Sequence, residues 1–580
     1  MKWYKLLVIA LLLGLLVAAC QPAAPAAAPE EAEPAAAEPA EEMAEEPAEE
    51  PAAEEPAAEE MAEEPAEEMA EEPAEEMGPK MGGVLVASLS NDPKNLDPAT
   101  IAAWDQTVIA PNVLEGLFRI SPDGTAIEPA LAEDFSVSDD GLVWNFTIRE
   151  GAKFHNGRQV TAGDIKYTYE RVLNPETQSP KAGSLLSITG AQAFVDGDAS
   201  EVSGIKVVDE MTLEITLQDA LAPFNAILTS VNLAAVPQEE VEKWGDDFGF
   251  NVVAAGPFKL GEWNVNQDLT IEAFEDYWNG RPYLDAVKFR FIGDENTRIT
   301  EFDAQNLDIA WVPPAHWDRF FNDAVFNEKL GWAHTFHTDF IAVNLENEPF
   351  GTSPDLRKAM RYALDMDAVI ISLQGRATIA QGMLPAGLLA YDEDAVLNYP
   401  RDVDMAKGLM DSAGFADGVP GDFDVIMPNW GNLIVIMEIY QANLAEIGIN
   451  ININPMDFGT YLEAMDNGNY DLAWMYRVPD YADPDGFYYP LMFSGNIGTG
   501  GNWSRYQNAD VDAKVAAARA STDEAERISL YQEIEAQFVE DLPMIPLTHN
   551  IYVDVSQPYV MDYVPSPVDA SQYQKVWLDK

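Results

Sequence analysis

A break in composition at Lys80 divides this chain into two parts that cannot fold alike. Residues 21–80 consist almost entirely of Ala, Glu, Pro and Met, with units such as EEPAEEM recurring and with no aromatic or β-branched residue. Such a segment buries too little apolar surface to form a core, and its frequent prolines interrupt any helix. We therefore predict a solvated tether there, and we assign every hydrophobic core to the residues that follow it.

The residues before the tether have the three parts of an export signal. Two lysines precede an apolar run over residues 6–17, and a pair of alanines follows it. The run is shorter than a membrane-spanning helix requires. Cys20, the only cysteine of the chain, comes next, and residues 17–20 resemble the bacterial lipobox, in which the signal is cut before a cysteine that then carries lipid. We predict a signal peptide at 1–19 and lipidation at Cys20, and an ordinary secretory signal beside an incidental cysteine is the alternative.

The charge and the cysteine count exclude several functions. The formal net charge of the chain is −66. The tether contains 22 Glu and one Lys and therefore contributes −21. Taking away that −21 and the two lysines of the signal leaves −47 on the body from Met81 onward. A surface this acidic repels phosphate backbones, and we therefore predict no nucleic-acid partner. A body without cysteine has no disulfide, no thiol nucleophile and no Cys-bound metal.

The body is long enough for two or three domains, and residues 131–173 are its most informative segment. They read LAEDFSVSDDGLVWNFTIREGAKFHNGRQVTAGDIKYTYERVL. Apolar and polar residues alternate over 142–148, which predicts a half-buried strand. Thr161 and Asp164 have the spacing of a capping box, which predicts a helix over 165–173. The patterns alone thus predict strands, turns and a capped helix in a mixed α/β protein.

The run SDDGLVWNFTIREGAKFHNGRQVTAGDI resembles the signature of the family 5 extracellular solute-binding proteins, the peptide, dipeptide and nickel receptors of ABC importers. Further blocks resemble the same family in the same order, and together they cover residues 83–547. These blocks are NLDP at 95–98, NVLEGLFRI, AGPFKLGEW, EDYWNG, PYLDAVKFRFIGDENTRITEFDAQNLDIAW, NLENEPFGTSPDLRKAMRYALDMDAVI, AKGLMDSAGF and the region 443–546.

The resemblance implies an α/β fold of two lobes, the periplasmic-binding-protein-like fold of type II, or Venus-flytrap arrangement, with an inserted subdomain in the first lobe. The predicted parts are the first lobe at 81–336 with the insertion at about 126–253, the second lobe at 341–546, and a segment returning to the first lobe at 547–580. The chain would cross between the lobes near 337–340 and 546–552. These crossings would form the hinge about which the lobes close on a ligand.

Strand ends in the second lobe predict where that ligand lies. Residues 423–456 have the pattern of a βαβ unit in which Gly448 caps the helix, and residues 470–476 predict another strand. Ligands collect beyond the carboxyl ends of such strands. The candidate ligand-binding residues are Trp430, Phe458, Tyr476, Arg477, Asp480 and Tyr481.

Two of these candidates also match the family. Asp480 matches the acidic residue with which peptide-binding relatives hold a ligand's α-ammonium group, a charge-assisted hydrogen bond. Phe458 matches an aromatic position that lines the pocket in those relatives. Pro479 departs from the small residue that usually precedes the acid, which leaves the backbone path open. The alternatives are a turn cap for Asp480 and core packing for each aromatic residue.

Other chemistry finds little support in the sequence. The segment DYADPDG at 480–486 lacks the alternation and the closing Glu of an EF-hand. His334 and His337 stand three apart on a predicted strand and would point to opposite faces, which disfavours one metal ion between them. The motifs GxSxG, HExxH, Walker A and the Rossmann glycine pattern do not occur. We therefore predict no catalytic residue, no metal and no cofactor.

The sequence thus predicts a monomeric, non-enzymatic receptor, anchored by lipid at Cys20 to the extracytoplasmic face of the bacterial cell membrane. It would capture a small solute and deliver it to the subunits of an ABC permease. Short peptides are the favoured ligand, with an oligosaccharide or a metal chelate as alternatives. A solute sensor or an adhesin that is not coupled to transport is the alternative from another functional class.

Overall fold

The structure, a computed structural model, describes residues 78–393, 399–479, 481–568 and 571–580. All of them lie in one compact unit, Glu76–Lys580. The predicted signal peptide, Cys20 and nearly all of the tether lie outside the described residues, and so does Asp480.

The secondary structure alternates between strands and helices along the body. The described strands are β1 (Val84–Leu89), β2 (Phe118–Ile120), β3 (Ile127–Pro129), β4 (Ala132–Val137), β5 (Val143–Ile148), β6 (Ile205–Asp209), β7 (Thr212–Thr216), β8 (Phe258–Asn264), β9 (Asp268–Ala273), β10 (Ala286–Phe291), β11 (Ile309–Trp311), β12 (Leu330–Val343), β13 (Ala377–Ile379), β14 (Asp422–Pro428), β15 (Asn450–Met456), β16 (Leu472–Arg477), β17 (Met544–Ser556), β18 (Val560–Met561) and β19 (Trp577–Leu578). The described α-helices are α1 (Trp104–Val113), α2 (Ala162–Leu173), α3 (Ala191–Val195), α4 (Phe224–Ile227), α5 (Gln238–Trp244), α6 (Glu295–Asp303), α7 (Trp317–Phe321), α8 (Pro354–Ala363), α9 (Met366–Ser372), α10 (Val403–Ser412), α11 (Gly431–Glu446), α12 (Phe458–Asn467), α13 (Asp485–Met492), α14 (Ala509–Ala520) and α15 (Glu524–Asp541).

Three larger sheets organise these elements. The first has the order β1-β10-β9-β8, with β1 parallel to β10. The second, β4-β5-β7-β6, is antiparallel throughout and lies within the predicted insertion. The third has the order β11-β17-β12-β16-β14-β15, with β13 paired to β17. The short ribbons β2-β3 and β18-β19 complete the described strands.

The signature segment folds as its local patterns predict. Strand β5 buries Trp144, Phe146 and Ile148 on one face. Helix α2 begins just after Thr161, whose backbone N–H donates to Asp164 Oδ2 over 2.9 Å. The Thr161 hydroxyl donates to the same carboxylate oxygen over 2.8 Å, and Thr161 is the N-cap of the helix, as the sequence predicted.

The predicted βαβ unit is also present in the third sheet. Strand β14 runs parallel to β15 on one side and to β16 on the other, and α11 connects β14 to β15. Gly448 follows the end of α11 with φ at +78°, and a Cβ atom there would lie 2.7 Å from the Cα of Gly418. Glycine is therefore required at this cap on both conformational and steric grounds.

The two predicted crossings lie side by side in one antiparallel ribbon, which we call the central ribbon, β12 with β17. It pairs from Leu330 opposite Val555 to Ala342 opposite Met544, with register shifts between His334 and Thr338 and between Asp339 and Phe340. Strand β11 pairs with one end of the ribbon and β16 with the other. A single sheet therefore runs from β11, in the predicted first lobe, to β15, in the predicted second. The lobe boundaries themselves stay a prediction.

Candidate ligand-binding site

Four aromatic side chains meet at the carboxyl ends of β14, β15 and β16. Trp430 follows β14, Phe458 follows β15, and Trp474 and Tyr476 lie near the end of β16. Because these strands are parallel neighbours, their ends lie at one edge of the sheet. The Trp430 ring stacks on Phe458 at 5.8 Å and lies 6.0 Å from the Tyr476 ring. We call these four residues the strand-end cluster.

The outer half of the strand-end cluster is open to solvent. Trp430 is 40% exposed and Phe458 is 43% exposed, whereas Trp474 beneath them is 4% exposed. Trp474 supports the Trp430 ring from its edge at 5.8 Å. Two adjacent exposed aromatic rings on a rigid base form an apolar surface patch, the kind of feature that marks binding sites, and they lie outside the buried core.

A polar network from the central ribbon lies beside this cluster. The His337 ring lies 5.0 Å from the Tyr476 ring, and its Nε2 is 2.9 Å from Asp339 Oδ1. The other carboxylate oxygen of Asp339 accepts a hydrogen bond from the Thr548 hydroxyl over 2.9 Å. Both oxygens of this buried carboxylate are therefore used within the protein.

His549 occupies the next position of the ribbon as a neutral side chain. Thr338 Oγ1 donates to the Met383 carbonyl at 3.0 Å, and it also lies 3.0 Å from His549 Nδ1. Because the hydroxyl proton goes to the carbonyl, Nδ1 is the donor in the second bond. Burial, assisted by the charge of neighbouring His337, lowers the pKa of His549 to about 3. This histidine thus stays uncharged at neutral pH.

Two cavities adjoin at the central ribbon, and Tyr552 lines both. The smaller, of about 150 Å³, lies against the strand-end cluster. Its walls are His337, Asp339, Leu373, Arg376, Trp430, Leu433, Ile436, Trp474, Asn550, Ile551 and Tyr552. The larger, of about 370 Å³, lies farther along the ribbon, where Ala333, Tyr552 and Asp554 line it. Its aromatic and charged walls include Trp104, Glu295, Arg298, Trp311, Tyr552, Asp554, Tyr563 and Tyr573.

Charged groups of both signs line the larger cavity. Burial raises the pKa of Asp554, whose carboxylate accepts a hydrogen bond of 2.6 Å from the Tyr563 hydroxyl. Burial lowers the pKa of Arg298, which donates to Ser90 Oγ and to the Ile292 carbonyl. The two cavities together therefore offer aromatic faces and isolated charges, a combination suited to a polar organic ligand.

The structure brings three of the predicted site residues together and holds two others in a different way. Trp430, Phe458 and Tyr476 lie together in the strand-end cluster, whereas Arg477 Nε donates to the Gly486 carbonyl over 2.8 Å. The Tyr481 hydroxyl donates to Asp485 Oδ2 over 2.6 Å, and its ring packs on the core of the predicted insertion. Burial raises the pKa of Tyr481 well above its usual range. Ligand contact by these residues, and by Asp480, stays a prediction.

Several lining residues were not predicted from the sequence. Trp474 could have been found, because it stands two residues before Tyr476 on one strand and so shares its face. His337 was considered only as a metal ligand, and Asp339, Arg376 and Tyr552 gave no local signal. Within the described chain, no group of three or more His, Cys, Asp or Glu side chains is placed to hold a metal ion. Nor does any described helix combine the length and apolar character that a membrane crossing requires.

Comparison with known proteins agrees with this architecture. The sequence model of the bacterial extracellular solute-binding proteins, family 5, matches residues 126–499. The chain is 28% identical over 510 residues to Di/tripeptide-binding protein 2 of Pseudomonas aeruginosa, covering 84% of this chain and 93% of that protein. It is 29% identical over 507 residues to heme-binding protein A of Haemophilus influenzae, covering 84% and 91%.

A solved structure shows a similar arrangement. The periplasmic binding protein DppA from Helicobacter pylori, in complex with the peptide STSA, superposes with a TM-score of 0.70 at 25% identity, covering 86% of this chain and 99% of that one. Solved neighbours of this kind have two lobes, as the sequence predicted. The chain therefore belongs to family 5 of the bacterial extracellular solute-binding proteins and has the two-lobed α/β fold of that family.

Proposed function

We propose that this protein is the substrate-binding receptor of an ABC importer and that its ligands are short peptides. The observation that carries the proposal is the strand-end cluster, in which exposed Trp430 and Phe458 stack on each other and Trp430 lines the smaller of two cavities that meet at the central ribbon. Aromatic faces accept many side chains, whereas the charged groups of the cavities fix the orientation of a polar backbone. Peptides have both properties.

Closure of the two lobes would complete the site. Ligand contacts made from both lobes would favour the closed arrangement by the difference in affinity between the two states. In this proposal Asp480 receives the ligand's α-ammonium group, as its match to peptide-binding relatives implies. The di/tripeptide-binding relative supports peptides as the ligand class. The receptor carries out no covalent chemistry.

We further propose that Cys20 carries the lipid that anchors a monomeric receptor to the extracytoplasmic face of the cell membrane. The order of signal, cysteine and acidic tether supports this arrangement. A flexible chain of 60 residues has a root-mean-square reach of about 40 to 45 Å, which would let the body meet a permease in the same membrane. Labelling of cells with a radioactive fatty acid tests it. Label should enter the wild type and should be lost in Cys20→Ala, and equal labelling of both contradicts lipidation at this residue.

The ligand class is tested by native co-purification. The full-length protein is isolated from an extract of its host without added ligand and then denatured, and the released small molecules are identified by mass spectrometry. Short peptides in stoichiometric amount are the expected result. Release of an oligosaccharide, a metal chelate or a tetrapyrrole, without peptide, would overturn the proposed ligand class.

A further inference from the structure

Arg376 has an unusual position in the smaller cavity. It follows α9 and precedes β13, and its carbonyl accepts a hydrogen bond of 2.8 Å from the Ile551 N–H of the central ribbon. Its own N–H donates to the Leu373 carbonyl over 3.2 Å. The backbone of Arg376 is therefore hydrogen-bonded to β17, which lines the cavity.

The guanidinium itself has almost no partner within the described residues. Its one hydrogen bond there is from Nε to the Leu373 carbonyl, at 3.3 Å, and no described carboxylate lies within the 4.0 Å of an ion pair. Asp339, the acid of the same cavity, already serves His337 and Thr548. Both Nη groups, which carry four of the five N–H donors of an arginine, thus remain available.

Arginines elsewhere in this chain are satisfied differently. Arg158 binds both Asp164 and Glu239, and Arg527 binds Asp483 with two hydrogen bonds. Arg357 has no carboxylate partner among the described residues, but all three of its guanidinium nitrogens donate to backbone carbonyls. Burial lowers the pKa of Arg376, and the charge of Glu295 acts against that shift. Arginine nevertheless stays charged, because its ordinary pKa lies far above neutrality.

We propose that Arg376 binds a carboxylate of the ligand in this cavity, so that the receptor selects anionic over neutral ligand ends. The proposal rests on the proposed function and names the chemistry of one end of its ligand. A guanidinium presents parallel N–H groups that match the two oxygens of a carboxylate. The apolar walls formed by Leu373, Leu433 and Ile436 exclude water and strengthen that pair.

The size of the cavity limits what else enters with the carboxylate. Its volume of about 150 Å³ corresponds to roughly five water molecules, which suffices for a carboxylate and a small side chain. Trp430 and Trp474 form the wall of this cavity that belongs to the strand-end cluster. The carboxylate could be the C-terminus of a peptide or an acidic side chain, and the test below distinguishes these two sources.

The test measures binding of four tripeptide probes to the full-length protein by isothermal titration calorimetry. Tri-alanine and tri-alanine amide differ only in the C-terminal carboxylate. Ala-Ala-Glu amide and Ala-Ala-Gln amide differ only in an acidic side chain. We expect the wild type to prefer the carboxylate member of one pair by roughly 10- to 100-fold, the range for a hydrogen-bonded charge.

Three variants test whether Arg376 causes that preference. In Arg376→Gln the two members of the preferred pair should bind within about threefold of each other, the range left by weak exposed contacts, and affinity for the neutral member should be unchanged. Arg376→Lys keeps the charge but loses the planar fork, and should retain part of the preference. The control is Arg401→Gln, which removes an arginine that pairs with Glu446 away from both cavities and should behave as the wild type.

The outcomes separate this inference from the proposed function. A wild type that binds the probes without preference in either pair, or an Arg376→Gln variant that keeps the full preference, would overturn the role of Arg376 alone. A wild type that binds none of the four probes would overturn peptide binding and the inference with it. Unchanged affinity of Arg376→Gln for the neutral probe also shows that the variant is folded.

Discussion

The signature segment at residues 131–173 and the strand-end cluster use aromatic residues in opposite ways. Trp144 and Phe146 in the signature are 4% and 0% exposed, whereas Trp430 and Phe458 are 40% and 43% exposed. A buried ring must fit every neighbour, so its position is set by the packing of the protein itself. An exposed ring at a cavity mouth is free to suit a ligand. The segment by which the family is recognised therefore builds the fold, and the residues that we propose to select the ligand lie elsewhere.

The largest effect should come from opening the core of the signature. Phe146→Ala removes a ring that lies between Phe118 and Trp144, and should lower the free energy of unfolding by about 3 to 5 kcal/mol. Phe458→Ala is the matched variant, since the same truncation at an exposed site should cost less than about 1 kcal/mol. Urea unfolding followed by circular dichroism measures both. Equal destabilisation by the two variants would break the comparison.

The next effect should appear in ligand affinity rather than in stability. Asp480→Asn removes the predicted partner of a ligand's α-ammonium group, and should weaken binding of free-amine peptides by about 1.5 to 3 kcal/mol. Titration calorimetry with a peptide and its N-acetylated form measures this, and the acetylated form should not distinguish variant from wild type. Unchanged affinity for the free-amine peptide would remove Asp480 from the site.

Acidification should lower the free energy of unfolding through His155, which lies in the signature segment. Its Nε2 donates to the Gly256 carbonyl and its Nδ1 accepts from the Ala254 N–H, and burial lowers its pKa from 6.5 to about 4. Between those two pH values the unfolded chain binds a proton that the folded protein does not. The stabilisation is complete above pH 6.5 and is lost as the pH falls toward 4.

The variant His155→Asn isolates this contribution. Between pH 7 and pH 4.5 the wild type should lose about 2 kcal/mol more unfolding free energy than the variant does. Groups such as His549 titrate in both proteins, so their contributions cancel in that difference. Urea unfolding at the two pH values is the measurement, and parallel losses in both proteins would contradict the assigned protonation state.

The smallest effect should separate ligand contact from packing within the cluster. Trp430→Ala should weaken peptide binding by about 1 kcal/mol, the contribution of one aromatic contact. It should leave the unfolding free energy nearly unchanged. Trp244→Ala is the control, because Trp244 is similarly exposed, at 37%, but lies in α5 outside both cavities. Equal affinity losses in the two variants would mean that the Trp430 ring makes no specific contact.

Local patterns were enough to predict the elements that carry these residues. The alternation over 142–148 and the capping box at Thr161 specify β5 and the start of α2, because both depend on neighbours within a few residues. The parallel pairing of β14, β15 and β16 follows from the βαβ pattern. The meeting of Trp430, Phe458 and Tyr476 then follows from where those strands end.

The polar half of the site depends on contacts that no local pattern contains. Thr338 pairs with His549 although 211 residues of chain separate them. Arg376 reaches the smaller cavity because β13, the strand that follows it, pairs with β17. A register shift also lies between His334 and Thr338, a feature that strict alternation along the strand does not predict. Irregular pairing between distant strands is a property of the assembled sheet and not of either strand.

The central ribbon has a mechanical consequence for a receptor that closes. Both of its strands are hydrogen-bonded to each other and to further strands, so the two lobes are joined by a continuous sheet and not by a loose linker. The register shifts interrupt the ladder locally, and a strand bends most readily at such positions. Closure would then be a bending of the central ribbon and not a rotation about one flexible linker. In the proposed closing motion, the change in backbone angles would be shared among several residues of two paired strands and would not be confined to a single linker.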